Sequence, residues 1–200
     1  MDGIRAGEGK ILILAKFNSS LKAKLPSRQE ALVVFSVIVF IVFSWTLYRV
    51  FWWVPSWLEY LSIWNILIIV AYVLAFSLFE SLAVMGLIVI LSLLFPKQTF
   101  KDQFIVQGSA ISAALGLIAF LVQRKVSLIY RLELWQTLAY PTLILIGVVI
   151  LVPILWFTFK RFNLLTRLVL AVAERMTIFV FLYVPLGLIG MLVVVARNLW

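Results

Sequence analysis

The chain has 200 residues, 65% of them hydrophobic and only 12% charged, with a formal net charge of +9. Soluble domains carry about a quarter charged residues, so the composition excludes an ordinary soluble domain and points to a membrane. Cysteine and histidine are both absent, which removes disulfides, thiolate chemistry, the commonest metal ligand and general base, and the usual haem ligand.

Several apolar runs exceed the roughly 18 residues that mark a membrane-spanning helix. Only helices and closed barrels satisfy backbone hydrogen bonds in lipid, and the continuous Leu/Ile/Val/Phe runs lack the alternation of a barrel. The expected fold is an all-α integral membrane bundle of five transmembrane helices, with interfacial amphipathic helices beside it. The predicted spans cover about 31–54, 70–95, 104–122, 135–159 and 176–196, preceded by a basic segment over 1–30. The bundle as a whole takes up 31–200, with no second domain or internal repeat.

Residues 1–30 carry Arg5, Lys10, Lys16, Lys22, Lys24 and Arg28, with Ile11, Leu14, Leu21 and Leu25 at roughly helical spacing. That pattern predicts an amphipathic helix on the membrane surface, with anionic headgroups as its partners. The apolar run 11–15 is too short for a cleavable signal peptide. Ser27 and Glu30 have the spacing of a capping box and start the first span, which ends in Trp45, Tyr48, Phe51, Trp52 and Trp53, aromatics suited to the headgroup level.

Pro55 is expected to stop this helix, and Ser56 to Glu59 offers a second capping box. A helix over 63–95 would be about 50 Å long against a hydrocarbon core of about 30 Å. The expectation is an interfacial helix over 57–68, a bend, and a tilted span over 70–95. A re-entrant hairpin at Glu80 is the rival. With a single crossing and the N-terminus inside, twelve of the 17 Lys and Arg fall inside and five outside. The hairpin divides them ten to seven, so the positive-inside rule favours five spans.

In the third span Gly108, Ser112 and Gly116 fall four apart, a spacing that lets helix backbones approach closely; this helix is expected to be the most tightly packed. The fourth span contains Pro141 and Pro153 and stops at Lys160-Arg161. Asn163 is expected to cap a helix that continues through Glu174 and Arg175 into the last span, where Pro185 and Gly187 predict a kink.

Glu80 stands alone in an apolar run, and an ionisable residue there is by default a functional candidate. It can be a titrating site on a pathway, half of a buried pair with Arg175 or Arg167, or an acid bonded to Ser77, Ser81 or a carbonyl. Arg167 and Glu174, about two turns apart, share a helix face. No clustered carboxylates, phosphate loop or nucleophile–base pair is visible, so neither an enzyme, a cofactor nor a metal site is expected. The positive charge reads as loops near anionic lipid rather than as a nucleic-acid surface. The expected function is a non-catalytic accessory or scaffold subunit of a larger membrane assembly, partnered by other subunits or by itself. The alternative is a small oligomeric transporter or channel that uses Glu80. The expected location is a bacterial or archaeal plasma membrane, with the N-terminus cytoplasmic and the C-terminus outside.

Overall fold

The computed structural model describes residues 24–124 and 134–199, with side chains described except at 124 and 134–141. The proposed amphipathic stretch ahead of Lys24, the link 125–133 and Trp200 lie outside the described residues. In chain order the elements are α1 (Arg28–Tyr60), α2 (Ile63–Leu94), a single 3-10 turn (Lys101–Gln103), α3 (Phe104–Arg124), α4 (Leu134–Arg161), α5 (Asn163–Met176) and α6 (Ile178–Leu199). No strand occurs among the described residues. All but α5 are long and apolar enough to cross a membrane, which makes five candidate spans. The protein is an all-α, multi-pass membrane bundle.

The first helix starts as its sequence dictates. Glu30 N–H donates to Ser27 Oγ at 3.2 Å and Ser27 N–H donates to Glu30 Oε2 at 2.7 Å, so two otherwise orphaned donors are satisfied reciprocally. The expected stop at Pro55 is absent, because α1 runs through it to Tyr60. Proline removes one donor and leaves one carbonyl of the preceding turn unpaired. Pro55 is exposed near the helix end, where water can take that carbonyl, so the penalty is small. The break falls instead at Leu61–Ser62, and the Ser62 hydroxyl caps α2 by accepting from Asn65 N–H at 3.4 Å.

The second helix then continues unbroken from Ile63 to Leu94. Neither the interfacial helix over 57–68 nor the re-entrant hairpin forms. The length mismatch has a simpler resolution. A 32-residue helix of about 48 Å spans the full 40–45 Å bilayer, headgroups included, with a tilt of about 20–34°.

The chain turns between Phe95 and Lys101 and re-enters at α3. Lys24 Nζ donates to Leu93 O and Ser92 Oγ donates to Lys24 O, each at 3.0 Å, tying the start of the described chain to this turn. At the same end α5 lies across the bundle, with Ala173 buried against Val33, Val37 and Ile105. Asn163 is the first residue of α5 and not its cap. The cap residue is Phe162, with no side-chain bond. Thr166 Oγ1 reaches back to Phe159 O at 3.1 Å and steadies the α4–α5 corner. Helix α5 does not run into the last span: at Thr177 the hydroxyl donates to Glu174 O at 2.6 Å, and α6 starts afresh at Ile178.

Helix α1 is the hub, contacted by α2, α3, α5 and α6, while α4 leans on α3 and α5. The most buried span is α1 rather than α3, with 39% of an 18-residue apolar stretch enclosed against 33%. Two core clusters carry the packing. One gathers Val34, Ile38, Ile88, Phe104, Ile111 and Val152; the other gathers Val39, Phe43, Leu74, Leu78 and Tyr183.

Small residues set the closest approaches. A Cβ on Gly108 would sit 2.9 Å from Val34 Cγ1, and one on Gly116 would sit 2.7 Å from Ile41 Cγ2, so α3 lies against α1 along these two glycines. Ser112, between them, donates its hydroxyl to Gly108 O at 2.7 Å. A second seam joins α6 to α2. There a Cβ on Gly187 would sit 2.9 Å from Leu78 Cβ, and one on Gly190 would sit 2.6 Å from Ala71 O.

Candidate functional site

The buried polar groups of the bundle are mostly self-satisfied. Ser36 donates to Leu32 O, Ser77 to Val73 O, Ser81 to Ser77 O and Ser112 to Gly108 O, all within their own helices. Serine bonds of this kind satisfy the hydroxyl within its own helix and open no path. Between helices, Ser77 and Thr46 are hydrogen-bonded at 3.0 Å, and Ser44 meets the Tyr183 hydroxyl at 3.4 Å. The carbonyl oxygens of the Gln103 and Gln107 side chains and the Ser109 hydroxyl are enclosed without a partner, although the Gln107 amide donates to Thr99 O at 2.6 Å.

The charged candidate faces the other way. Glu80 is exposed on α2 and lines a cleft of about 890 Å3 between α1, α2 and α3. Helix α1 supplies the back wall, from Ile38 and Ile41 to Trp45, Arg49 and Trp53; α2 supplies Glu80 and Val84; α3 supplies Ser112, Gly116, Ala119 and Gln123. The cleft opens where α2 and α3, which meet around Ile88, Phe104 and Ile111, each pack on α1 but make little further contact with one another. Glycine at 116 and alanine at 119 also leave the α3 wall low. Trp45 and Phe120 meet edge-on at 5.3 Å across it, and Trp45 stacks with Tyr48 at 5.8 Å.

Heights within the cleft follow from register. Ser77 is level with Thr46 through their hydrogen bond, and α1 and α2 run in opposite directions. Glu80 is therefore level with Phe43, about 9 Å below Arg49 along the bundle axis. Neither Glu80 nor Arg49 nor Gln123 has a hydrogen bond or ion pair among the described residues. A charge facing hydrocarbon at mid-membrane costs about 2.5–3.5 kcal/mol on insertion scales, so an unpartnered Glu80 calls for something polar beside it.

The other sequence candidates lie elsewhere. Arg167, Glu174 and Arg175 are all exposed on α5, and among the described residues no ion pair joins them to each other or to Glu80. Helix α5 packs on Val33 and Val37 of α1 and on Ile105 of α3, and none of its described residues lines the cleft that holds Glu80. Sequence reasoning passed over Arg49 and Gln123 as cleft residues. The signal was present in Trp45, Arg49 and Trp52, which recur at helical spacing and so share a face. It also read Gly187 only as part of a kink and passed over Gly190.

No protein-family model, no curated protein and no solved structure matches the chain. The functional reading therefore rests on the geometry.

Proposed function

We propose that the protein is a non-catalytic accessory or scaffold subunit of a larger membrane assembly. The observation that carries this reading is the direction of its polarity: most buried serines bond within their own helices and the seams close on glycine, while the mid-span carboxylate faces sideways. A bundle that carried solute through itself would need polar groups along its axis. This one offers outward faces instead. Phe79, Leu82 and Ile90 of α2 and Leu143, Ile146 and Ile150 of α4 are all exposed, which suits lipid or a neighbouring subunit.

The basic residues Lys97, Lys101, Lys160, Arg161, Arg167 and Arg175 gather at the end where the described chain begins. This supports a cytoplasmic N-terminus in a cell membrane, by the positive-inside rule. Anionic headgroups are then the partners of that end. The test is photo-crosslinking in the native membrane from a reactive residue at Phe79 or Ile146. A discrete heavier band containing another protein is the expected result, and lipid adducts alone at both positions would overturn the reading.

A second reading, an oligomeric transporter or channel using Glu80, draws on Glu80 and Arg49 sharing one cleft. Its path would run between chains. Glu80→Gln would then abolish flux in a folded oligomer, and unchanged flux would end it.

A further inference from the structure

The cleft has dimensions that speak to its occupant. It follows α1 from Ile38 to Trp53, about 22 Å along the helix, from about 8 Å below the level of Glu80 to about 15 Å above it. Its volume of about 890 Å3 lies in the range of small-ligand sites, about 300–1,000 Å3.

Polarity is graded along the same axis. Arg49 and Gln123 stand toward the tryptophan-rich end, Glu80 lies about 9 Å deeper, and Ile38 and Val84 close the inner part. A cation and an amide toward the mouth, a carboxyl group below them and an apolar floor match one amphiphile, read from head to tail and drawn about 6 Å below the usual headgroup level. We propose that this cleft binds a single membrane lipid with an anionic headgroup, entering sideways from the leaflet.

In this site Arg49 takes the phosphate as a charge-assisted hydrogen-bond donor, and Gln123 adds amide donors beside it. Glu80, as the neutral acid, donates its O–H to an ester carbonyl of the lipid, the partner that the chain itself does not supply. The touching rings of Trp45 and Phe120 form one wall beside the upper chain, an amphipathic lining suited to this depth. The proposal does not depend on any protein partner and stands or falls separately from the subunit reading.

The experiment is native mass spectrometry of the purified full chain in detergent, titrated with phosphatidylglycerol or with phosphatidylcholine of the same acyl chains. One phosphatidylglycerol should be retained at least tenfold more strongly than phosphatidylcholine. Arg49→Gln should erase that preference, and Ala119→Phe, which fills the cleft, should lower retention of both lipids about tenfold. Arg197→Gln, a basic residue at the same end but outside the cleft, should behave as the parent. Equal retention of the two lipids by the parent, or a parent-like preference in folded Arg49→Gln, would overturn the proposal. Should Ala119→Phe not fold, Arg49→Gln against Arg197→Gln decides alone, because both positions tolerate a polar side chain.

Discussion

Gly190→Ala asks whether the α2–α6 seam sets the position of the last helix. The added methyl would lie 2.6 Å from Ala71 O, 3.1 Å from Ala75 N and 3.2 Å from Leu74 Cβ. An ordinary carbon–oxygen contact is about 3.3 Å or longer, so α6 must retreat by roughly 0.7 Å. The obstacle is backbone, which has no rotamer to swing away. That retreat also loosens Gly187 against Leu78 and the Phe43–Tyr183 stack at 5.2 Å. Overpacking of this kind costs about 1–3 kcal/mol, offset by about 1 kcal/mol from replacing glycine with alanine in a helix. The net expectation is a loss of about 0–2 kcal/mol. Gly86→Ala supplies the reference, because its methyl meets nothing within 4 Å and collects only the helix-forming gain. The two variants should differ by about 1–3 kcal/mol in a reversible SDS unfolding titration in mixed micelles, with Gly86→Ala the more stable. Equal stability of the two would refute the close approach of α6 to α2.

Three further outcomes are expected. Gly116→Ala should destabilise the bundle through Ile41 Cγ2, 2.7 Å from the new methyl, and the double variant with Ile41→Ala should lose less than the sum of the single losses in the same titration. A double-mutant cycle on Thr46→Ala and Ser77→Ala, joined at 3.0 Å, should return a coupling of about 0.6 kcal/mol, the usual size for interhelical bonds in membranes; zero coupling would remove the bond from the account. Ser27→Ala breaks one arm of the capping box and should cost about 1 kcal/mol, read as a lower unfolding midpoint and faster amide exchange confined to the first turn of α1.

Much of this architecture is written in local pattern. Ser27 and Glu30 announce the first helix because a capping box is satisfied within four residues. Lys160-Arg161 ends α4 because charge cannot follow into hydrocarbon. Gly108, Ser112 and Gly116 stand at the spacing that places them on one face, and there they meet α1. The failures also have physical causes. Pro55 reads as a stop only if its lost hydrogen bond goes unreplaced, and at an exposed helix end water replaces it. Ser62 carries the actual break, yet a lone serine after aromatics gives a weak signal. The bend expected in α2 came from matching its length to the hydrocarbon core alone, when the headgroup layers also accept Trp64 and its neighbours.

The cleft was the least legible feature. Helix α2 is apolar on all sides, so its sequence does not say which way Glu80 points. That direction is decided by where α2 and α3 sit on α1, through contacts such as Ala71 with Gly190 and Val34 with Gly108. Arg49 likewise reads as one more charge near an interface until α3 brings Gln123 and Phe120 beside it.

The most direct test of the central claim is to extract the tagged protein from its native membrane in mild detergent, then measure the particle's mass and identify its contents by mass spectrometry. A stoichiometric complex with other membrane proteins is the predicted result. A monodisperse single chain of 22.9 kDa with a transport or enzymatic activity of its own would contradict it.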